Sequence, residues 1–63
     1  MDYTDDTLLT PDELAEYLGR SVAALAQLRY RGTGPAFINA AGRVRYRWAA
    51  VEEWLDDATR VQT

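Results

Sequence analysis

Residues 8–32 read LLTPDELAEYLGRSVAALAQLRYRG, and this stretch contains two helix signals separated by a very short turn. The first signal begins at Thr10, an N-cap residue followed by Pro11 at the first helical position, and Glu13 completes a capping box. Gly19 supplies the left-handed residue that commonly ends a helix. We therefore predict a helix over residues 10–18.

The second helix signal follows almost at once. Ser21 is a natural N-cap, and residues 22–31 are predicted to form a helix that ends before Gly32. Helical spacing predicts an inward stripe of Val22, Ala24, Leu25 and Leu28, and an outward side of Ala23, Gln27, Tyr30 and Arg31. Two short helices joined by a tight turn containing glycine are typical of a helix-turn-helix unit.

A β-hairpin and a third helix are predicted after this unit. The segments AFINA and RVRYR flank Ala41-Gly42, as expected for two short strands around a tight turn. Strict alternation predicts Phe37, Val44 and Tyr46 on the inner face, and it places three arginines on the outer face: Arg43, Arg45 and Arg47. The segment WAAVEEWLDDA then predicts a helix with Val51, Trp54 and Leu55 facing the core.

The order of these elements predicts the fold class. Helix, helix, hairpin and helix make an α+β, mostly α, winged helix-turn-helix, with the hairpin as a two-stranded wing. We expect one domain over residues 8–59, preceded by an acidic flexible tail at residues 1–7 and followed by a short tail at residues 60–63.

Composition argues against several function classes. The 63 residues contain neither cysteine nor histidine, which removes thiolate ligands, the commonest metal ligand and the commonest general base. We therefore predict no metal site, no cofactor, no catalytic residue and no enzyme activity. The chain has no apolar run long enough to span a membrane, and its acidic first residues argue against a signal peptide. We expect a soluble, cytoplasmic protein.

Charge is segregated along the chain. Residues 1–16 contain six acidic side chains and no basic one, whereas residues 17–51 contain six arginines and no acidic side chain. A basic block inside an acidic chain is the electrostatic footprint of a binding surface for an anion. Arginine is also suited to planar, bidentate recognition of phosphate or guanine.

The same stretches resemble a known family. LLTPDELAEYLGRS, followed by LRYRGTGPAFI, GRVRYR and VEEWL, is similar to the small DNA-binding proteins of the MerR-like, excisionase type, which include AlpA-like regulators. The resemblance covers roughly residues 8–57. It implies that the second helix enters the major groove of double-stranded DNA and that the hairpin wing follows the phosphates or the minor groove. It also implies recombination directionality factors as one possible role.

Candidate DNA-binding residues follow from the pattern and the resemblance together. Arg20 and Ser21 precede the second helix, where backbone N–H groups favour a phosphate, although Ser21 is first a cap. Gln27 suits adenine, and Arg29, Tyr30 and Arg31 suit phosphates, with helix-dipole complementation and packing as alternatives. The full set is Arg20, Ser21, Ala23, Gln27, Arg29, Tyr30, Arg31, Arg43, Arg45 and Arg47.

Three roles remain open from the sequence. The first is an excisionase that bends attachment-site DNA, assists a phage-type integrase and binds cooperatively as several copies. The second is a small transcriptional regulator with the same fold. The third belongs to another class, a protein-interaction adaptor or anti-repressor whose acidic segments dock a basic partner.

Overall fold

A computed structural model of the protein describes the backbone of residues 3–61 and the side chains of residues 3–59. Its elements, in chain order, are β1 (Leu8–Leu9), α1 (Pro11–Leu18), α2 (Val22–Arg31), β2 (Ile38–Ala40), β3 (Arg43–Arg47) and α3 (Trp48–Val61). The predicted α+β, mostly α, winged helix-turn-helix fold is confirmed. The bounds of α2 agree with the prediction, and α1 lacks only Thr10, which is its N-cap.

Local capping explains both helices of the helix-turn-helix unit. The Thr10 hydroxyl accepts a hydrogen bond from the Glu13 backbone N–H at 3.1 Å, and the Glu13 carboxylate accepts one from the Thr10 N–H at 2.8 Å. Gly19 ends α1 with φ +69°, a conformation that glycine adopts without strain. The Ser21 hydroxyl then accepts from the Ala24 N–H at 3.0 Å and starts α2. These contacts use neighbouring residues, which is why the sequence predicted them.

The sheet has three antiparallel strands in the order β1-β3-β2, one strand more than the predicted hairpin. The extra strand β1 pairs Leu8 with Arg47 and Leu9 with Tyr46. Directly paired residues share a face of a sheet, so Leu9 joins Tyr46 towards the core while Leu8 lies beside Arg47 on the outer face. The central strand β3 is thus held on both edges.

The turn between β2 and β3 carries a backbone conformation that its sequence does not favour. Ala41 and Gly42 both have positive φ, at 52° and 80°, as in a two-residue type I′ turn. An alanine in the left-handed region costs roughly 1–2 kcal/mol, whereas asparagine is a preferred residue at this position.

Replacing Ala41 with asparagine is therefore expected to stabilise the domain by about 0.5–1 kcal/mol. In a domain of this size that gain raises Tm by several degrees, which thermal unfolding followed by circular dichroism measures. Gly42→Ala is the matched control and should lower Tm. A lower Tm for Ala41→Asn would contradict the assignment of this turn.

The core is small and lies between the helices and the inner face of the sheet. Its buried members are Leu9, Leu14, Ala15, Leu25, Tyr46, Trp48 and Val51. Two residues predicted to face inward do not, since Val22 is 40% exposed and Phe37 is 45% exposed. Val22 is on the same side of α2 as Leu25 but lies in the first turn of the helix, and Phe37 precedes β2 and is not part of its pairing.

The N-terminal segment differs from the flexible tail that the sequence led us to expect. Thr7 and Asp5 accept hydrogen bonds through their backbone carbonyls from the N–H groups of Trp48 (2.9 Å) and Ala49 (3.3 Å). The Tyr3 ring lies 4.9 Å from the Trp48 ring, measured between centroids. The segment 3–7 therefore supplies hydrogen-bond acceptors for the first two backbone N–H groups of α3. No side chain among the described residues caps this end of the helix.

The second predicted tail also needs correction. Helix α3 extends to Val61 and so includes two of the residues expected to form a tail at 60–63. Residues 1–2 and 62–63, the remaining parts of the two predicted tails, lie outside the described residues.

A close approach fixes the loop between α2 and β2. A side chain at Gly34 would place its Cβ 2.8 Å from the Leu28 Cβ, so only glycine fits against α2 here. On the other side, the Trp54 indole N–H donates to the Thr33 carbonyl at 3.0 Å. The loop is thus attached to both α2 and α3.

Candidate nucleic-acid interface

The turn between α1 and α2 presents the start of α2 to solvent. Gly19 and the exposed residues Arg20 and Ser21 make up this turn. The Arg20 backbone N–H is already bonded to the Ala15 carbonyl at 2.9 Å, but its guanidinium extends outward. A cation beside a helix N-terminus makes this end of α2 electropositive, which favours a phosphate.

The outward face of α2 is a continuous surface along the helix. Ala23, Gln27 and Arg31 recur at intervals of four residues and are exposed, as predicted. Tyr30 lies among them and is 93% exposed, an unusual position for a large aromatic side chain in a domain with so small a core. Val22, in the first turn of α2, is also 40% exposed, although its spacing predicted an inward position.

Arg29 has a different position from its neighbours. Its side chain is half-buried, and its Nη1 donates a hydrogen bond to the Tyr46 hydroxyl at 2.7 Å. The guanidinium carbon also lies 5.9 Å from the centroid of the Phe37 ring, within cation–π range. Arg29 therefore connects the last turn of α2 to the central strand of the sheet. This link could not be predicted from the sequence, because the two bonded residues are far apart in the chain.

The three arginines of β3 share the outer face of the sheet but are not equivalent. Arg43, beside the turn, and Arg47 are exposed. Arg45 is half-buried, lies opposite Ile38, and its Nη1 donates to the Val44 carbonyl at 2.7 Å. The predicted outward orientation holds for all three, but two apolar neighbours on that face, Leu8 and Ile38, were not foreseen.

The exposed arginines carry uncompensated positive charge. Four arginines form neither an ion pair nor a side-chain hydrogen bond with any described residue: Arg20, Arg31, Arg43 and Arg47. Arg47 thus forms no ion pair with an acid of α3 among the described residues. Four exposed guanidinium groups, two at the ends of α2 and two on β3, therefore carry positive charge to the surface of an acidic protein.

No other arrangement in the described part of the chain points to a small-molecule or metal site. Two shallow cavities flank residues 34–36, one towards α3 and one towards α2. No group of three or more acidic side chains among the described residues converges as metal ligands would. Within the same residues, no helix is long and apolar enough to cross a membrane.

Two helices joined by a tight turn, an antiparallel hairpin and a closing helix define a winged helix-turn-helix domain. The family model described as "Helix-turn-helix domain" matches residues 8–59, and the protein belongs to this family. It is a family of small DNA-binding domains rather than of enzymes, and the match supports DNA as the partner of this chain.

The family match also refines the resemblance noted from the sequence. It supports a small helix-turn-helix DNA-binding family and does not confirm the MerR-like name. No curated protein matches the chain significantly.

Proposed function

We propose that this domain binds double-stranded DNA with α2 in the major groove and with the β2–β3 hairpin as a wing on the adjacent phosphates or minor groove. The observation that carries this proposal is the outward face of α2, where Gln27 and the nearly fully exposed Tyr30 lie between Arg20 and Arg31, two arginines that form no ion pair with any described residue. An exposed helix of about three turns fits the width of the major groove.

The ten candidate residues divide by the contact each can make. Arg20, Arg31, Arg43 and Arg47 are proposed to contact phosphates, and Ser21 is proposed to approach one through its position at the start of α2. Gln27 is proposed to contact adenine, with Ala23 as a neighbouring apolar contact to a thymine methyl group. Tyr30 is proposed to lie against the sugar–phosphate backbone. Arg29 and Arg45 are half-buried and each donates a hydrogen bond within the protein, so they are not assigned to this set of contacts.

For the biological role, we propose an excisionase-type factor that bends attachment-site DNA and assists a phage-type integrase. The resemblance over residues 8–57 supports this role. A second support is the composition of α2, which offers only Gln27 as an amide for base edges in its exposed face. One domain of this size covers roughly 600–1,000 Å² of its own surface on DNA, at the low end for specific complexes.

Useful affinity is therefore expected to come from several copies on adjacent sites. Titrating the protein onto a long duplex that carries its binding region should give a ladder of discrete complexes in gel shifts. Tethered-particle measurements on the same duplex should report bending, since copies that share contacts also share the cost of deforming DNA.

A single tight complex on unbent DNA would contradict the architectural role. That result would favour the plain transcriptional regulator, which uses the same fold and the same contacts. A duplex of equal length and shuffled sequence serves as the control, because it separates cooperative binding from non-specific coating.

A further inference from the structure

Arg29 carries a positive charge that nothing in the described structure neutralises. The groups that touch its guanidinium are the neutral Tyr46 hydroxyl and the face of the Phe37 ring. Among the described residues, no carboxylate lies within ion-pair distance of it. A half-buried cation without an anionic partner loses hydration energy that no ion pair replaces. The position of Arg29 therefore suggests that it binds an anion from outside the chain.

The guanidinium retains most of its hydrogen-bonding capacity. Arginine has five N–H donors, and only one of them, on Nη1, is used by Tyr46. The others form a planar fork, which matches two oxygens of a phosphate group. Tyr46 is fully buried in the core, so its hydroxyl has a fixed position. The hydrogen bond to this hydroxyl therefore fixes the position of the Arg29 guanidinium.

A concave surface lies beside this guanidinium. The cavity has a volume of about 310 Å³ and is formed by the end of α2 and the loop before β2. Its lining includes Gly32 and Gly34, which have no side chains, and the apolar residues Pro35 and Phe37, the latter half-exposed. A lining in which a guanidinium lies next to an apolar ring suits a phosphate attached to its deoxyribose, because the sugar presents apolar C–H groups next to the charge.

We propose that this cavity binds one backbone phosphate of DNA at the junction of α2 and the wing, with Arg29 as the contacting residue and Tyr46 as the positioning residue that orients it. This inference rests on the proposed DNA-binding function and adds a phosphate site to it. Because Arg29 is attached to β3 through Tyr46, the same contact sets the angle between α2 and the hairpin on the duplex.

The test uses the full chain, a mixed-sequence duplex and the dependence of affinity on salt concentration. Arg29→Met keeps the aliphatic stem but removes the charge, and it should reduce the steepness of the log–log plot by about 0.9, the value for one phosphate contact. Tyr46→Phe keeps the charge and should weaken binding, but it should add no further loss in the Arg29→Met background.

A purely structural role for Arg29 predicts other results. The proposal is overturned if Arg29→Met, folded by circular dichroism at the assay temperature, binds with an unchanged salt dependence. If that variant does not fold, Arg29→Lys replaces it, since a lysine retains the charge but lacks the fork. The proposal then requires weaker binding with an unchanged slope, and unchanged affinity overturns it. Failure of the unsubstituted protein to bind any duplex would overturn the proposed function as well, whereas unaltered slopes alone would leave that function intact.

Discussion

Replacing Arg31 and Arg43 together with glutamine is expected to weaken binding to duplex DNA by about 10²–10⁴-fold, if each loses one charge-assisted hydrogen bond worth about 1.5–3 kcal/mol. The two residues lie at the two ends of the proposed surface, at the last turn of α2 and beside the hairpin turn. Both are exposed and unpaired among the described residues, so the substitution removes no contact that stabilises the domain.

The control for this variant separates location from net charge. Ala58→Glu combined with Thr59→Glu lowers the net charge by the same amount on exposed positions of α3, away from the proposed surface. This control should bind almost as well as the unsubstituted protein, measured by fluorescence anisotropy at one salt concentration. Equal losses in the two variants would mean that only overall charge matters and would contradict the proposed placement of DNA.

The second large effect concerns stability. Leu25→Ala is expected to leave much of the protein unfolded at 25 °C. The Leu25 side chain is fully buried in the only core cluster of the described residues, and such truncations cost about 2–5 kcal/mol. A domain of this size rarely has more than about 3–5 kcal/mol from its core.

Val22→Ala is the matched comparison for Leu25→Ala. Both residues belong to α2 and are aliphatic, but Val22 is partly exposed in the first turn of the helix, so its truncation should cost about 0.5 kcal/mol or less. Urea unfolding followed by far-UV circular dichroism measures both. A cost for Val22→Ala as large as that for Leu25→Ala would contradict the partial exposure of Val22.

The ends of α1 and α2 could be predicted from the sequence, whereas the burial of individual α2 side chains could be predicted only in part. The helix ends were predictable, because Thr10, Ser21 and their caps act on backbone groups three residues away. The rotation of α2 was predictable, because the spacing of Val22, Leu25 and Leu28 marks the side on which Leu25 is buried. The exposure along that side was not predictable, since Val22 lies in the first turn of α2 and is 40% exposed.

The contacts of the N-terminal segment could not be predicted from the sequence, because they join residues far apart in the chain. A two-residue strand such as Leu8–Leu9 has no periodicity to detect, and it forms because β3 offers a free edge. The cap on α3 comes from the backbone carbonyls of Asp5 and Thr7, and any residue has a carbonyl. The cap of α3 therefore cannot be predicted from the residue types in its own first turn.

The candidate surface was predicted better than the packing around it. Charge segregation alone singled out the arginines, and the alternation in RVRYR placed Arg43, Arg45 and Arg47 on one face. What the sequence did not distinguish was an arginine directed at solvent from one held inside the fold. Arg29 and Arg45 are half-buried because Tyr46 and the Val44 carbonyl accept their hydrogen bonds, and neither partner is recognisable by spacing.

The most direct test of the central claim is the salt dependence of binding to a mixed-sequence duplex. If the four exposed arginines neutralise phosphates, a plot of log K against log salt concentration should have a slope of about −3.6, which the Arg29 contact would bring to about −4.5. In the Arg31→Gln, Arg43→Gln variant the slope should be less steep by about 1.8, because two of those contacts are lost. A slope near zero, or no binding to any duplex at low salt, would contradict the account and would favour a protein-interaction adaptor that uses its acidic segments.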